Sequence, residues 1–349
     1  MPNGLSEAPR KFTKLMKVVF STLRKLGHTV IAYIDDSLLL GDTYDDCATN
    51  IKDTVLLLDS LGFTIHPDKS ILTPTQSIVF LGFLIDSVTM SVRLALDKCH
   101  RLQDMCRSML NCHSTSIREL SQLVGHFVAA EPGVLYARLF YKRIELARNA
   151  ALKLNKGNWD ANMLLSSDIR EDLQWWIDNL PSASKSILTC NPDLVITSDS
   201  SGLGWGCACA GNSTGGLWSQ QESGEHINYK ELLAAFLALK VFGKHKVNVH
   251  ICLHLDNTTA VAYVTNMGGH IPQFNTLTRE IWLWALQRNI WLTAKHLPGK
   301  LNILADAESR KQHNSELEWS LHKDVFDQIE STFARGLAGT KFRSPGTSK

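Results

Sequence analysis

Residues 194–201 read LVITSDSS and residues 249–257 read VHICLHLDN. Each is a strand-type run that closes on an aspartate, Asp199 in the first and Asp256 in the second. Between them, INYKELLAAFLAL (227–239) is an apolar helix with Glu231 near its start. After them, HLPGKLNILADAESR (296–310) passes a Pro-Gly turn and enters a helix carrying Asp306. Acids seldom sit beside core-type sequence unless something compensates their charge. Four of them, on elements able to converge, point to a divalent-cation site. The alternation of strands and helices over 193–312 predicts an α/β unit.

The local patterns favour convergence. Val247, Val249, Ile251, Leu253 and Leu255 alternate with Asn248, His250, Cys252, His254 and Asp256, so period two sets the apolar row apart from Asp256. On the helix, Ile227, Glu231, Ala235 and Ala238 share one face, and its alanines allow close approach to a sheet. Asp306 is expected near a helix start capped by Asn302, where the helix dipole favours an anion. Mg²⁺ takes hard oxygen ligands, and two such ions about 3.5–4 Å apart can drive an in-line displacement at phosphorus. A phosphodiester-cutting nuclease is therefore the first hypothesis. Any single acid of the four could simply end its element, so the flanking sequence has to decide.

Composition narrows the classes. A chain of 349 residues predicts two or more domains and a sizeable core. With a net charge of +2, any nucleic-acid surface must be local. No apolar run approaches the roughly 20 residues of a membrane span, so no membrane partner is expected. Eight cysteines without a C-x-x-C pair fit a reducing compartment, cytoplasmic or nuclear and not secreted. Oligomeric state is not legible. The basic stretch with Arg10, Lys11, Lys14, Lys17, Arg24 and Lys25 reads as an amphipathic helix, with Leu15, Val18, Val19 and Leu23 inward, in preference to a transit peptide.

Further along, HTVIAYIDDSLLLGD (28–42) predicts a hairpin with Asp35 and Asp36 at its tip. Residues 44–62 predict a helix with Ile51, Val55 and Leu58 on one stripe. SIVFLGFLID (77–86) reads as a strand pair, and 96–182 as helical throughout, with a capping box from Ser116 to Glu119. The Pro/Ser-rich stretch 181–192 is the expected linker. After Gln312 an amphipathic stretch, LEWSLHKDVFDQIESTF, and an unfolded tail are expected.

The flanking motifs carry a resemblance. ITSDSSGLGWGC, HINYKELLAAFLAL, LHLDNTTAVAYVTNMGG and AKHLPGKLNILADAESR together look like a ribonuclease H domain, with Asp, Glu, Asp and Asp in the family's order. The resemblance implies a mixed five-stranded sheet flanked by helices over 193–312. It also implies Mg²⁺ (two ions, Mn²⁺ as a substitute) and hydrolysis of the RNA strand in an RNA/DNA hybrid. Asp199 would be the shared ligand, Glu231 and Asp256 would complete one site, and Asp306 the other. His296 would assist proton transfer or product release. Hybrid recognition would rest on shape and 2′-hydroxyl contacts. Asn257, Thr258 and Thr259 could bond phosphate at a helix N-terminus, although Asn-Thr-Thr is also simply a good cap.

The N-terminal part resembles the later palm motifs of reverse transcriptases. PNGLSEAPRKFTK (2–14) is similar to the segment that contacts template and incoming nucleotide. YIDD (33–36), with Tyr33, Asp35 and Asp36, resembles the metal-binding hairpin, HPDKS carries Lys69, and FLGF resembles the primer grip. The implied organisation is a partial palm over 1–95, a helical thumb and connection over 96–182, a linker over 183–192, the ribonuclease H unit over 193–312 and a helix with tail over 313–349. The phrases QLVGHFVAAEPGVLYARLFYKRIE and ADAESR look most like DIRS-type retroelements with a tyrosine recombinase. In that family a metal-binding aspartate precedes the first of these motifs, and no aspartate precedes Asp35 here. The expectation is that fingers and polymerase activity are missing, so the chain does not polymerise by itself. The alternatives are a non-catalytic remnant that binds nucleic acid or protein, or a polymerase completed by another chain.

Three other signals are set aside. Cys99, Cys106 and His113 repeat every seven residues, which fits a helix face better than zinc. Gly202, Gly204 and Gly206 lie in a strand-turn-strand run and not in a dinucleotide loop. Trp282, Trp284 and Trp291 are expected in the core.

Overall fold

The structure, a computed structural model, describes residues 6–188 and 190–311. The expected C-terminal helix and tail, and the first residues of the 2–14 motif, lie outside these. Helix α1 (Ala8–Lys25) leads into the hairpin β1 (Thr29–Tyr33) and β2 (Asp36–Leu40), and α2 (Tyr44–Ser60) returns over it. These pack a small core of their own from Met16, Val19, Phe20, Leu23 and Val30, with Leu57, Leu58 and Phe63 beside it. The amphipathic reading of α1 holds for Val19 and Leu23 but not for Leu15 and Val18, which are exposed. The inward stripe passes instead through Met16 and Phe20, at i and i+4. In α2 the buried positions are polar: Asn50 donates to the carbonyls of Thr29 and Leu40, so it ties the helix to the hairpin.

An antiparallel sheet follows, from β3 (Ser77–Phe80), β4 (Phe83–Asp86) and β5 (Ser91–Leu94). Next come α3 (Leu96–Leu110), β6 (Ser114–Ser116), α4 (Ile117–Ala130), α5 (Ala137–Leu154), β7 (Asn162–Leu164) and α6 (Ser167–Asn179). The 96–182 region is thus not helical throughout: β6 and β7 form a short antiparallel ladder that pins the two helix starts following it. The capping box is present, with the Ser116 hydroxyl accepting from Glu119 N–H and the Glu119 carboxylate from Ser116 N–H. Cys99 and Cys106 are buried on α3, whereas His113 lies beyond its end and is exposed. The seven-residue spacing therefore marks a packing face only as far as Cys106.

β8 (Lys185–Ser186) falls inside the stretch expected to be a linker and pairs with β5. Beyond it stand β9 (Leu194–Ser200), β10 (Gly204–Cys209), β11 (Asn212–Leu217), α7 (Gln220–Ser223), α8 (Ile227–Phe242), β12 (His250–Leu255), α9 (Thr258–Thr265), α10 (Pro272–Leu286), β13 (Trp291–His296) and α11 (Ile303–Ser309). Their sheet is the mixed five-stranded one expected, ordered β11-β10-β9-β12-β13. β9 is antiparallel to β10 and parallel to β12, and β12 is parallel to β13. Parallel neighbours need crossover helices, and α8 and α10 supply them. The central strand β12 buries Ile251, Leu253 and Leu255 on one row and Cys252 on the other, so helices cover both faces. It begins at His250, leaving Val247 exposed outside the strand.

One apolar core joins this sheet to α3–α6. It runs from Phe127, Phe140 and Trp176 to Tyr136, Trp282 and Trp291. The connecting segment does not separate two independent bodies, because the core continues past it. Trp282 is buried as expected and donates to the Val264 carbonyl.

Helix α11 lies unusually close to β10 and β11. A Cβ built on Gly206 would stand 2.1 Å from the Ala305 carbonyl oxygen and 2.5 Å from the Ser309 nitrogen. Both obstacles are backbone, so a side chain there must push the whole helix away. Gly206→Ala is therefore expected to lower stability by about 1–3 kcal/mol, measured by urea denaturation.

Candidate active site

Three of the four carboxylates meet. Asp199 is the next-to-last residue of β9, Asp256 directly follows β12, and β9 and β12 are adjacent parallel strands, so both acids emerge at one sheet end. Glu231 comes from the first turns of α8, which crosses β9. One oxygen from each lies within 4.8 Å of the others. Asp199 and Glu231 are buried and Asp256 half-buried. Among the described residues no other group of three His, Cys, Asp or Glu side chains comes together in this way.

The electrostatics are those of charges held apart from compensation. Burial pushes the Glu231 carboxyl up to about 9, reinforced by Asp256 and Asp199 and opposed by the Ser200 backbone N–H. Burial likewise raises Asp199 to about 6, against the Ser309 hydroxyl, with Asp256 and Asp306 adding repulsion. Burial also raises Asp256, against the pull of His296. One oxygen of Glu231, Oε2, is buried without a hydrogen-bond partner. Such an atom is costly unless something satisfies it. Hard oxygen donors, clustered and short of positive charge, suit Mg²⁺ or Mn²⁺.

Asp306 is not part of the trio. Its Oδ1 accepts from Arg310 Nε at 2.8 Å and pairs with Nη2 at 2.6 Å. Arg310 is one turn on in the same helix, the i,i+4 spacing that brings side chains together. Asp306 is still near enough for its charge to raise Asp199. The expected cap does not form. Asn302 occupies the position before α11 but makes no side-chain cap, and its Nδ2 instead donates to the Ser198 carbonyl at 2.9 Å. The structure spends this side chain on fixing the loop against β9.

His296 ends β13, is exposed and lies on the Asp256 side of the site. Asn257 caps α9, its Oδ1 accepting from Ala260 N–H at 2.9 Å, while Nδ2 donates to Asn228 Oδ1. Thr259 accepts a longer bond from Asn228, and Thr258 is exposed. The cap reading of Asn257 is the one realised. In the N-terminal part, Asp35 and Asp36 sit exposed at the β1–β2 turn, Tyr33 is 58% exposed and Lys69 is exposed on a short 3-10 turn. Ile34 holds φ +53° in that turn, a region a β-branched residue avoids.

Sequence reasoning missed Ser309, whose Oγ lies 2.7 Å from Asp199 Oδ2, and the glycines that let α11 reach it. Ser309 is 110 residues from Asp199, so no local pattern could reveal the contact. Arg310 was accessible from its spacing to Asp306.

Residues 1–85 match the family described as reverse transcriptase (RNA-dependent DNA polymerase). The chain is similar over 326 residues, at 24% identity, to the "Enzymatic polyprotein" of Figwort mosaic virus (strain DxS). That alignment covers 89% of this chain and 45% of the polyprotein. The "Genome polyprotein" of Petunia vein clearing virus is 24% identical over 330 residues, covering 90% of this chain and 14% of that one. The chain thus spans less than half the length of the curated relatives it matches. Among solved structures, the foamy viral protease-reverse transcriptase in complex with RNA/DNA hybrid aligns with 92% of this chain and 42% of its own, at 13% identity and a TM-score of 0.46. RNase H1 from Halobacterium salinarum NRC-1 aligns with 33% of this chain and 92% of its own, at 17% identity and a TM-score of 0.27. Among the described residues no helix is long and apolar enough to cross a membrane.

Proposed function

We propose that this chain is a reverse-transcriptase fragment of a DIRS-type retroelement whose C-terminal unit hydrolyses the RNA strand of RNA/DNA hybrids. The observation that carries the activity is the buried trio Asp199, Glu231 and Asp256, with Glu231 Oε2 lacking a partner. These three would hold Mg²⁺ (two ions in the family reading, Mn²⁺ as a substitute), and Asp306 would join after leaving Arg310. Bound there, the cation supplies Lewis acidity toward a phosphate oxygen and acidifies water. The chain's own residues do the remaining work. Burial of Asp199 and Glu231 keeps competing water away from the ligand oxygens, and His296 stands at the open side of Asp256 to relay a proton. Asn257 fixes the start of α9, and that helix start, with Thr258 exposed, is where a phosphate would be held. The partner is a hybrid duplex.

The test is a labelled RNA/DNA hybrid with Mg²⁺, then with EDTA, beside single-stranded RNA. Cation-dependent cutting of the hybrid alone is expected; a hybrid left intact would sink the reading. A second readout needs no substrate. Cation binding must displace protons from raised carboxyls, so affinity rises with pH. Mg²⁺ should raise Tm more near pH 9, where Glu231 ionises, than below pH 6, where Asp199 is also protonated.

A further inference from the structure

Helix α11 is fastened to the sheet at its last turn, and the fastenings are polar. The Ser309 carbonyl accepts from Ser201 Oγ at 2.5 Å. Glu308 accepts from Ser213 Oγ at 2.8 Å and from Lys311. Gly206 removes the side chain that would hold the two apart. This close seating delivers the Ser309 hydroxyl, fully buried, to Asp199 Oδ2 at 2.7 Å. The same oxygen is 2.9 Å from the Asp306 carbonyl, one turn back in its own helix. A hydroxyl has one proton to give. A carboxylate accepts a shorter and stronger hydrogen bond than a neutral carbonyl, so the proton belongs to Asp199.

We propose that Ser309 is a positioning residue for the cation site: its hydroxyl holds the Asp199 carboxylate in the orientation that meets Glu231 and Asp256. The inference rests on the cation-binding reading given above and adds a residue to it. Without this bond, nothing else among the described side chains donates to Asp199. The carboxylate would be free to turn within its pocket, repelled by its two acidic neighbours. Ser309 bonds Asp199, so its effect on the site passes through that carboxylate. A residue that orients a metal ligand typically sets affinity by about 10–100-fold. The bland alternative is a serine that back-bonds its own helix and merely helps seat α11.

The experiment separates these by comparing two hydroxyl deletions in the full chain. Ser309→Ala removes the bond to Asp199. Ser213→Ala removes another hydroxyl–carboxylate bond between the sheet and this helix, one that ends on Glu308 and not on Asp199, Glu231 or Asp256. Binding of MgCl₂ alone is measured by calorimetry, with no nucleic acid. Ser309→Ala should weaken binding about 10–100-fold and Ser213→Ala by less than about threefold. Ser309→Thr, which keeps the hydroxyl, should restore most of the affinity. Unchanged binding in Ser309→Ala overturns the proposal, and so does equal weakening in both alanine variants, since seating of the helix would then explain it. Wild-type protein that binds no cation would overturn the site reading itself. Wild-type binding without a Ser309 effect would overturn only the role of Ser309.

Discussion

Asp199→Asn is expected to abolish hybrid cleavage while making the cation-free protein more stable. The loss should exceed the roughly 10–100-fold that disturbing a ligand's partner costs, because a ligand itself is replaced. Asn keeps the shape and can still accept from Ser309, so the fold has no reason to change. The gain in stability follows from the raised carboxyl. Folded Asp199 holds its proton to about pH 6, whereas the unfolded side chain releases it near 3.8. Stability therefore falls as pH rises through that window, and the full cost is present above it. At pH 8 removal of the charge should recover on the order of 1–3 kcal/mol, and below pH 4 nothing. Urea denaturation at the two pH values measures this. Equal stability of the two proteins at both pH values would show that the charge of Asp199 is already compensated. A site that is strained when empty and relaxed by its ligand is what a functional cluster of like charges amounts to.

The second large effect lies far from the acids. Asp172, on α6, has no exposed surface. It accepts from Arg143 Nε at 2.9 Å, from Arg143 Nη2 at 2.7 Å and from Arg279 Nη2 at 2.7 Å. Arg143 belongs to α5, but Arg279 belongs to α10, in the sheet unit, and also donates to the Leu139 carbonyl at 2.8 Å. Burial raises the Asp172 carboxyl while the two guanidinium groups hold it down. Asp172→Ala would strip the buried Arg279 of its carboxylate and leave Arg143 only the exposed Glu171 and Asp168. Breaking such a network typically costs about 3–5 kcal/mol. Because the network bridges the helical region and the sheet unit, both should unfold in one destabilised transition. The exposed pair of Arg118 with Asp160 makes the contrast, and Asp160→Ala should cost far less, because solvent screens that pair. Equal effects of the two substitutions in chemical denaturation would show that Asp172 is not the hub.

Much of the sheet unit was legible because its signals are local. The period of two in VHICLHL, the alanine-rich face beside Glu231 and the Asn-Thr-Thr start of α9 each follow from a few neighbouring residues. Boundaries were less secure: the strand through Ile251 starts at His250 and not at Val247, since Asn248 takes a φ of +55° and breaks the extended run. The polar interior of α2 escaped a reading based on apolar stripes, because Asn50 is buried to bond two carbonyls and not to exclude water. The linker at 181–192 has linker composition, but a two-residue strand pairing and a shared core override composition there. Asn302 looked like a cap by position and is used instead to tie a loop to β9.

By itself the sequence determined the alternation of strands and helices, the acids that end or open them, and their order along the chain. Those are properties of short segments, where periodicity and turn chemistry act. Only the tertiary structure decided that Asp199, Glu231 and Asp256 meet while Asp306 is held by Arg310, and that Ser309 reaches Asp199 across 110 residues. Which charges share a buried space depends on strand order and on how closely a helix can approach a sheet. Both are set by packing between segments that are remote in the chain.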